Sequence, residues 1–173
     1  VLIGIPNMKV HAKLCMIKKR INNRTVHYGF VSTGNLNEKT ATLYGDHCLL
    51  TADRFIMADV NRIFTFDNNE RIRYGNSGFG NACITARNLL RAKKGTRFVQ
   101  ITSGGWDMHA NIYTAGLNAA NAGSVGRQFD AALGTLIADL KTDGLLDRTL
   151  ILAMGEFGRT ISTPNAQAGR DHF

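Results

Sequence analysis

The chain has 173 residues, 44% hydrophobic and 20% charged, with a formal net charge of +8. That balance is ordinary for a soluble globular chain of one domain or two small ones, and no apolar run approaches the roughly 20 residues a membrane span needs, so no membrane partner is expected. Residues 1–66 hold 9 Lys+Arg against 4 Asp+Glu and residues 67–173 hold 12 against 9, a bias that leaves two readings open, a polyanionic partner or a merely soluble basic surface.

In chain order, Val1-Leu2-Ile3-Gly4-Ile5 reads as a strand cut from something longer. It carries no Met, basic stretch or cleavage site, so it is not expected to be a signal peptide. Lys9 to Leu14 reads as a strand, with Val10, Leu14 and Met16 on one parity and His11, Lys13 and Cys15 on the other. An imidazole and an ammonium therefore share a face. A second strand, Thr25 to Ser32, runs into Thr33-Gly34-Asn35-Leu36-Asn37. Neutral imidazole can be a nucleophile, Lys a point charge, and Asn amides donors to phosphate oxygens. A phosphate site and a plain surface His/Lys pair are both open on spacing alone. Thr40 to Leu50 reads as extended. Thr51 or Asp53 caps a helix to about Phe66, whose Phe55, Ile56, Val60, Ile63 and Phe64 form an apolar stripe expected to be core. Cys15, Cys48 and Cys83 are odd in number, widely spaced and without a Cys-x-x-Cys pair, which points to free thiols rather than zinc ribbons or disulfides.

Residues 3–66 resemble the catalytic region of bacterial polyphosphate kinase, a relative of the phospholipase D fold. The matching words are Lys9 to Leu14 (KVHAKL), Ser32 to Thr40 (STGNLNEKT), Leu43 to Asp53 (LYGDHCLLTAD) and Asp59 to Phe66 (DVNRIFTF). The resemblance implies a cytoplasmic ATP:polyphosphate phosphotransferase using ATP with Mg2+. His11 would be the phosphorylated nucleophile. Lys13 and Asn35 would hold phosphate oxygens, with Asn37 a second-rank candidate. Such transfer rests on positioning and charge neutralisation, which a basic, amide-rich surface supplies.

The character then changes. Asp67-Asn68-Asn69-Glu70 is polar and turn-like, and residues 67–75 form the expected junction. Phe79 to Lys93 reads as a helix with Phe79, Cys83, Ala86 and Leu90 on one side. Phe98 to Thr102 reads as a short strand running into Ser103-Gly104-Gly105-Trp106-Asp107-Met108-His109. Residues 110–125 read as loop or weak helix. Arg127 to Thr142 is the clearest helix, with Phe129, Leu133, Leu136, Ile137 and Leu140 inward and Gly144 as its stop. Leu150 to Met154 reads as a buried strand followed by Gly155-Glu156-Phe157-Gly158-Arg159-Thr160. Strand, helix and strand make a βαβ unit with parallel strands. Asp107, His109, Glu156 and Arg159 would then meet at the carboxyl edge of the sheet, where open α/β sheets place ligands. Asp, His and Glu suit zinc or manganese, and Arg159 suits an anionic ester. A cluster of helix caps and loop polar residues is the other open reading.

Residues from about 70 to 173 resemble a large bacterial family of unknown function related to the sulfatases and alkaline phosphatases. The matching words are Phe98 to His109 (FVQITSGGWDMH), Met154 to Thr160 (MGEFGRT) and Gly169 to Phe173 (GRDHF). The resemblance implies that Asp107, His109, Asp171 and His172 are metal ligands, with Glu156 added from the reading of the residues. Members of that family are typically exported. The expected architecture is thus α/β in two partial units. A phospholipase D-like strand-hairpin-helix segment (1–66) is followed by a sulfatase-like βαβ segment (76–173). The expected function is a polyphosphate kinase fragment joined, artificially or by accident, to a hydrolase-like fragment, with low or no activity. A metal-dependent phosphoesterase or sulfatase-like protein and a non-catalytic chimera are the alternatives. ATP and polyphosphate are the expected partners, nucleic acid is not expected, and self-association would cover open sheet edges.

Overall fold

A computed structural model describes residues 13–32, 48–155, 158–161 and 163–172. The chain divides into two compact units, residues 1–65 with 92–100, and residues 66–91 with 101–173. The described residues are mixed α/β, with three strands in one antiparallel sheet and four α-helices. None of these helices is long and apolar enough to cross a membrane.

The first unit is built on a hairpin. β1 (Lys13–Ile21) pairs antiparallel with β2 (Arg24–Ser32) through the two-residue turn Asn22-Asn23. Both turn residues have positive φ, 48° and 61°. That geometry matches the right-handed twist of the flanking strands, and Asn is among the few side chains that adopt it readily. β3 (Cys48–Thr51) pairs with the far end of β2, giving the order β1-β2-β3. Gly29 lies where β2 crosses Cys15, since a Cβ there would stand 2.0 Å from the Cys15 carbonyl oxygen.

α1 (Arg54–Phe64) starts where Asp53 accepts hydrogen bonds from the Phe55 and Ile56 amides, which satisfies two of the helix's orphan donors. Its expected apolar stripe is corrected in detail. Met57 is the buried residue, and Phe55, Ile56 and Phe64 are exposed while Val60 and Ile63 are half-buried.

The second unit holds the larger core. The stretch expected to be a turn is α2 (Asn68–Arg73), because Asp67 accepts from the Glu70 amide and nucleates a helical turn. α3 (Gly78–Arg91) and α4 (Val125–Thr142) pack together. Ser124 caps α4, accepting from the Arg127 amide, and Gly144 at φ 65° follows its end. Tyr74, Cys83, Ile84, Ala132, Leu136 and Leu140 form the core, flanked by Phe66, Phe79, Leu90 and Leu133. Burying an aliphatic side chain of this size contributes about 1.5–3 kcal/mol. Ile137, expected inward, is exposed.

A charged cluster crosses this core. Asp139 of α4 accepts from Arg87 of α3 at 2.7 Å, from Arg73 of α2 at 2.5 Å and from the Tyr74 hydroxyl at 2.9 Å. Arg87, only 2% exposed, also pairs with Glu70. Burial works to raise the Asp139 carboxyl, and the bonds from Arg87, Arg73 and Tyr74 outweigh it and hold it below the usual range. Burial and the bond to Asp139 push the Tyr74 phenol well up.

The expected βαβ unit does not form. Neither 98–102 nor 150–154 is a strand, and Phe98, Leu150, Leu152 and Met154 are exposed. The alternation is present, since Ile101 and Ile151 turn inward onto the core. A strand also needs a ladder partner for its backbone groups, and among the described residues neither segment has one.

Candidate functional site

The second unit gathers its chemistry where two loops lie side by side. One holds residues 106–112 and the other residues 159–161 and 163–172. Isolated antiparallel bridges join Ala110 to Ala168 and Arg159 to His172. Backbone bonds continue the pairing, from the Arg170 amide to the Met108 carbonyl and from the Ile112 amide to the Ala168 carbonyl, each 2.9 Å. The Asp171 amide donates to Thr160 Oγ1 at 3.2 Å while the Asp171 carbonyl accepts from the Thr160 amide. Gly169 is required at the crossing, because a Cβ there would stand 1.9 Å from the His109 carbonyl carbon.

This pairing brings Asp107, His109, Asp171 and His172 together across more than sixty residues of sequence. Three donor atoms converge. His109 Nε2 lies 3.2 Å from His172 Nε2 and 2.9 Å from Asp107 Oδ1, and His172 Nε2 lies 3.0 Å from the same oxygen. Asp107, His109 and His172 are exposed and form a set able to offer one ligand atom each to an ion. Donors about 2.0–2.1 Å from one first-row divalent ion and about 90–110° apart stand about 2.9–3.4 Å from each other. The three edges fall within that window, so two imidazoles and a carboxylate fit such an ion in both spacing and chemistry.

Asp171 stands behind His109 rather than beside the other donors. Its Oδ1 lies 2.9 Å from His109 Nδ1. That bond places the Nδ1 proton toward the carboxylate and turns Nε2 to the convergence point, the arrangement that orients metal-binding histidines. Asn165 braces the pair, its amide donating to Asp171 Oδ1 at 3.0 Å and to the His109 carbonyl at 3.1 Å. Asn165 Oδ1 accepts from the Gln167 and Gly169 amides, fixing the loop. Arg159 pairs with Asp107 Oδ1 at 2.5 Å.

The electrostatics follow from these contacts. The bond from His172, and after it the Arg159 guanidinium, holds the Asp107 carboxyl at about 2. The bond to Asp171 raises the His109 imidazole, and the same bond, with that from Asn165, lowers the Asp171 carboxyl. The carboxylates are therefore ready to ligate at neutral pH, and a metal would displace protons from His109.

The remaining candidates are placed as follows. Glu156, His11, Asn35 and Asn37 lie outside the described residues. Lys13 opens β1 opposite Ser32. Asn165 went unread in the sequence, although a Pro-Asn pair four residues before a glycine is a signal for the Asx turn it makes.

These features define a mixed α/β chain with a convergent two-histidine, one-carboxylate cluster on an exposed loop pair. The chain belongs to the family described as Protein of unknown function (DUF1501), whose model matches residues 32–173. It is also similar to polyphosphate kinases over a shorter stretch. It is 48% identical to the polyphosphate kinase of Escherichia coli (strain K12) over 69 residues, 40% of this chain and 10% of that protein. It is 41% identical to the polyphosphate kinase of Yersinia pestis over 88 residues, 51% of this chain and 12% of that protein. The chain thus spans about a tenth of the length of these curated relatives. No solved structure matches it.

Proposed function

We propose that the second unit is a metal-dependent hydrolase module acting on anionic esters of phosphate or sulfate. The convergence of His109 Nε2, His172 Nε2 and Asp107 Oδ1 within 2.9–3.2 Å of one another carries this reading. A zinc or manganese ion bound there would supply Lewis acidity and a water acidic enough to be a nucleophile near neutral pH. The chain's own residues do the rest. Asp171 keeps His109 in the tautomer that offers Nε2. Arg159, beside Asp107, is the cation placed to meet an ester's anionic oxygens, and Glu156 joins the ligand set in this reading. Metal analysis of the purified chain, with hydrolysis of a generic aryl phosphate and aryl sulfate, tests it. Bound zinc or manganese lost in Asp107→Ala is expected. A chain that takes up neither metal, and whose turnover is the same in Asp107→Ala, overturns it.

The identity to polyphosphate kinases favours a second reading for the first unit. In it, His11 accepts a phosphoryl group from ATP with Mg2+ in the cytoplasm. Lys13, Asn35 and Asn37 hold the phosphate, and polyphosphate is the acceptor. Acid-labile, base-stable label on the protein, lost in His11→Ala, is the expected result. Label that survives the substitution rejects it.

A further inference from the structure

The tip of the β1–β2 hairpin concentrates charge in a way neither reading uses. Lys18, Lys19, Arg20 and Arg24 fall within seven residues, and residues 13–32 contain no Asp or Glu. All four are exposed, as is every residue from Ile17 to Thr25. A shallow depression at the tip is lined by Lys18, Lys19, Arg20, Asn23 and Thr25. Exposed aliphatics accompany the cations. The register sets Ile17 opposite Tyr28, Lys19 opposite Val26 and Ile21 opposite Arg24. Alternation along the strands puts all six on one face. On it, Ile17 is 52% and Ile21 41% exposed. Lys18 and Arg20 project from the other face, opposite His27 and Thr25.

We propose that this tip docks on an anionic phospholipid surface. Lys19 and Arg24, on the isoleucine face, meet headgroup phosphates, and Ile17 and Ile21 enter the boundary between headgroups and acyl chains, while Lys18 and Arg20 on the other face add to the positive field of the tip. A linear polyanion would be held by the cations alone. Two isoleucines left to solvent on the face of Lys19 and Arg24 match a surface that is anionic outside and apolar just beneath, the pattern of interfacial binding. A hairpin lying on the surface needs no span-length apolar run, so the absence of such a run does not argue against it.

Co-sedimentation of the whole chain with phosphatidylcholine vesicles, and with equimolar phosphatidylcholine and phosphatidylglycerol vesicles, is the test. Binding to the mixed vesicles only, weakening with salt, is expected. Each surface cation contributes about a fivefold gain in partitioning, so Lys19→Gln with Arg24→Gln should weaken binding about 25-fold. Ile17→Ser with Ile21→Ser should weaken it at least about tenfold. Each variant must match the parent's circular dichroism, and Lys19→Gln alone replaces the cation pair if that pair does not. Equal binding to both vesicle types, or none, overturns the proposal. So does an isoleucine variant that binds mixed vesicles like the parent while duplex DNA or long-chain polyphosphate competes, since the tip would then hold free polyanions.

Discussion

His109 and Asp171 are joined ring to carboxylate, Nδ1 to Oδ1 at 2.9 Å, and this bond decides what the other side of the ring can do. With Nδ1 protonated toward Asp171, Nε2 is the nitrogen that faces Asp107 and His172, and it would offer its lone pair to a metal on giving up its proton. If the three converging atoms hold a metal, Asp171 acts through His109 without touching the ion. Asp171→Ala should then weaken zinc or manganese binding about 10- to 100-fold, the usual effect of removing such a support, without abolishing it. Isothermal titration of the chain with each metal measures this. Loss as complete as in His109→Ala would make Asp171 a ligand in its own right.

Asn165 contacts both members of that pair and its own loop. Asn165→Ala leaves the donor atoms present and removes their brace. It should weaken metal binding less than Asp171→Ala does, and increase amide exchange at Gln167 and Gly169, whose N–H groups lose their acceptor. An unchanged exchange pattern would show that the loop is held by its backbone bonds alone.

The buried charge cluster gives a stability prediction in the second unit. Asp139→Ala leaves the Arg87 guanidinium, 2% exposed, without its α4 partner. Breaking a buried pair by removing one member costs about 3–5 kcal/mol. The Asp139 carboxyl is held below its ordinary range in the fold. Its contribution is therefore present above the unfolded carboxylate value, about 3.9, and lost as pH falls through the folded one. Urea unfolding should show Asp139→Asn weaker than the parent at neutral pH, with the gap narrowing in acid. A gap that holds constant into strong acid would remove Asp139 from the acid response.

Local signals in the sequence survived into the structure where a helix could form on its own terms. Asp53 and Gly144 mark helix ends as expected, and the inward residues Cys83, Ala86, Leu136 and Leu140 are buried. Strands 98–102 and 150–154 failed because alternation specifies which face turns inward and is silent on the partner that must complete the backbone bonds. Asp67 reads as a turn residue yet starts a helix, because the same side chain that favours a turn also caps a helix. Asp107 and His109 were legible as a pair. Their meeting with Asp171 and His172 depends on a loop crossing at Gly169, which no short-range pattern announces.

Cys83 and Cys48 should differ sharply in reactivity. Burial pushes the Cys83 thiol up to about 12, whereas Cys48 is exposed on β3. The thiolate is the reactive species, so iodoacetamide at mildly alkaline pH should label Cys48 and spare Cys83 until the chain is unfolded, as read by peptide mass spectrometry. The folded value lies above the unfolded one, so this stabilisation is full below about 8.5 and declines as pH rises toward 12. Prompt labelling of native Cys83 would contradict its burial.

The hairpin turn offers the last test, because its two residues carry a conformational cost that a substitution can expose. Asn22 and Asn23 both sit at positive φ, 48° and 61°. A β-branched side chain there pays about 1–2 kcal/mol for the left-handed region, and glycine pays almost nothing. Asn23→Val should therefore weaken the hairpin by that amount and Asn23→Gly should leave it unchanged or slightly firmer, since Asn-Gly is the preferred pair for this turn. Both strands end at the turn, so the loss should appear first in amide exchange at Arg20, Ile21, Arg24 and Thr25, and fade toward Ser32, which β3 also holds through Cys48. An Asn23→Val hairpin that exchanges like the parent would mean that pairing along the strands, and not the turn, sets the register.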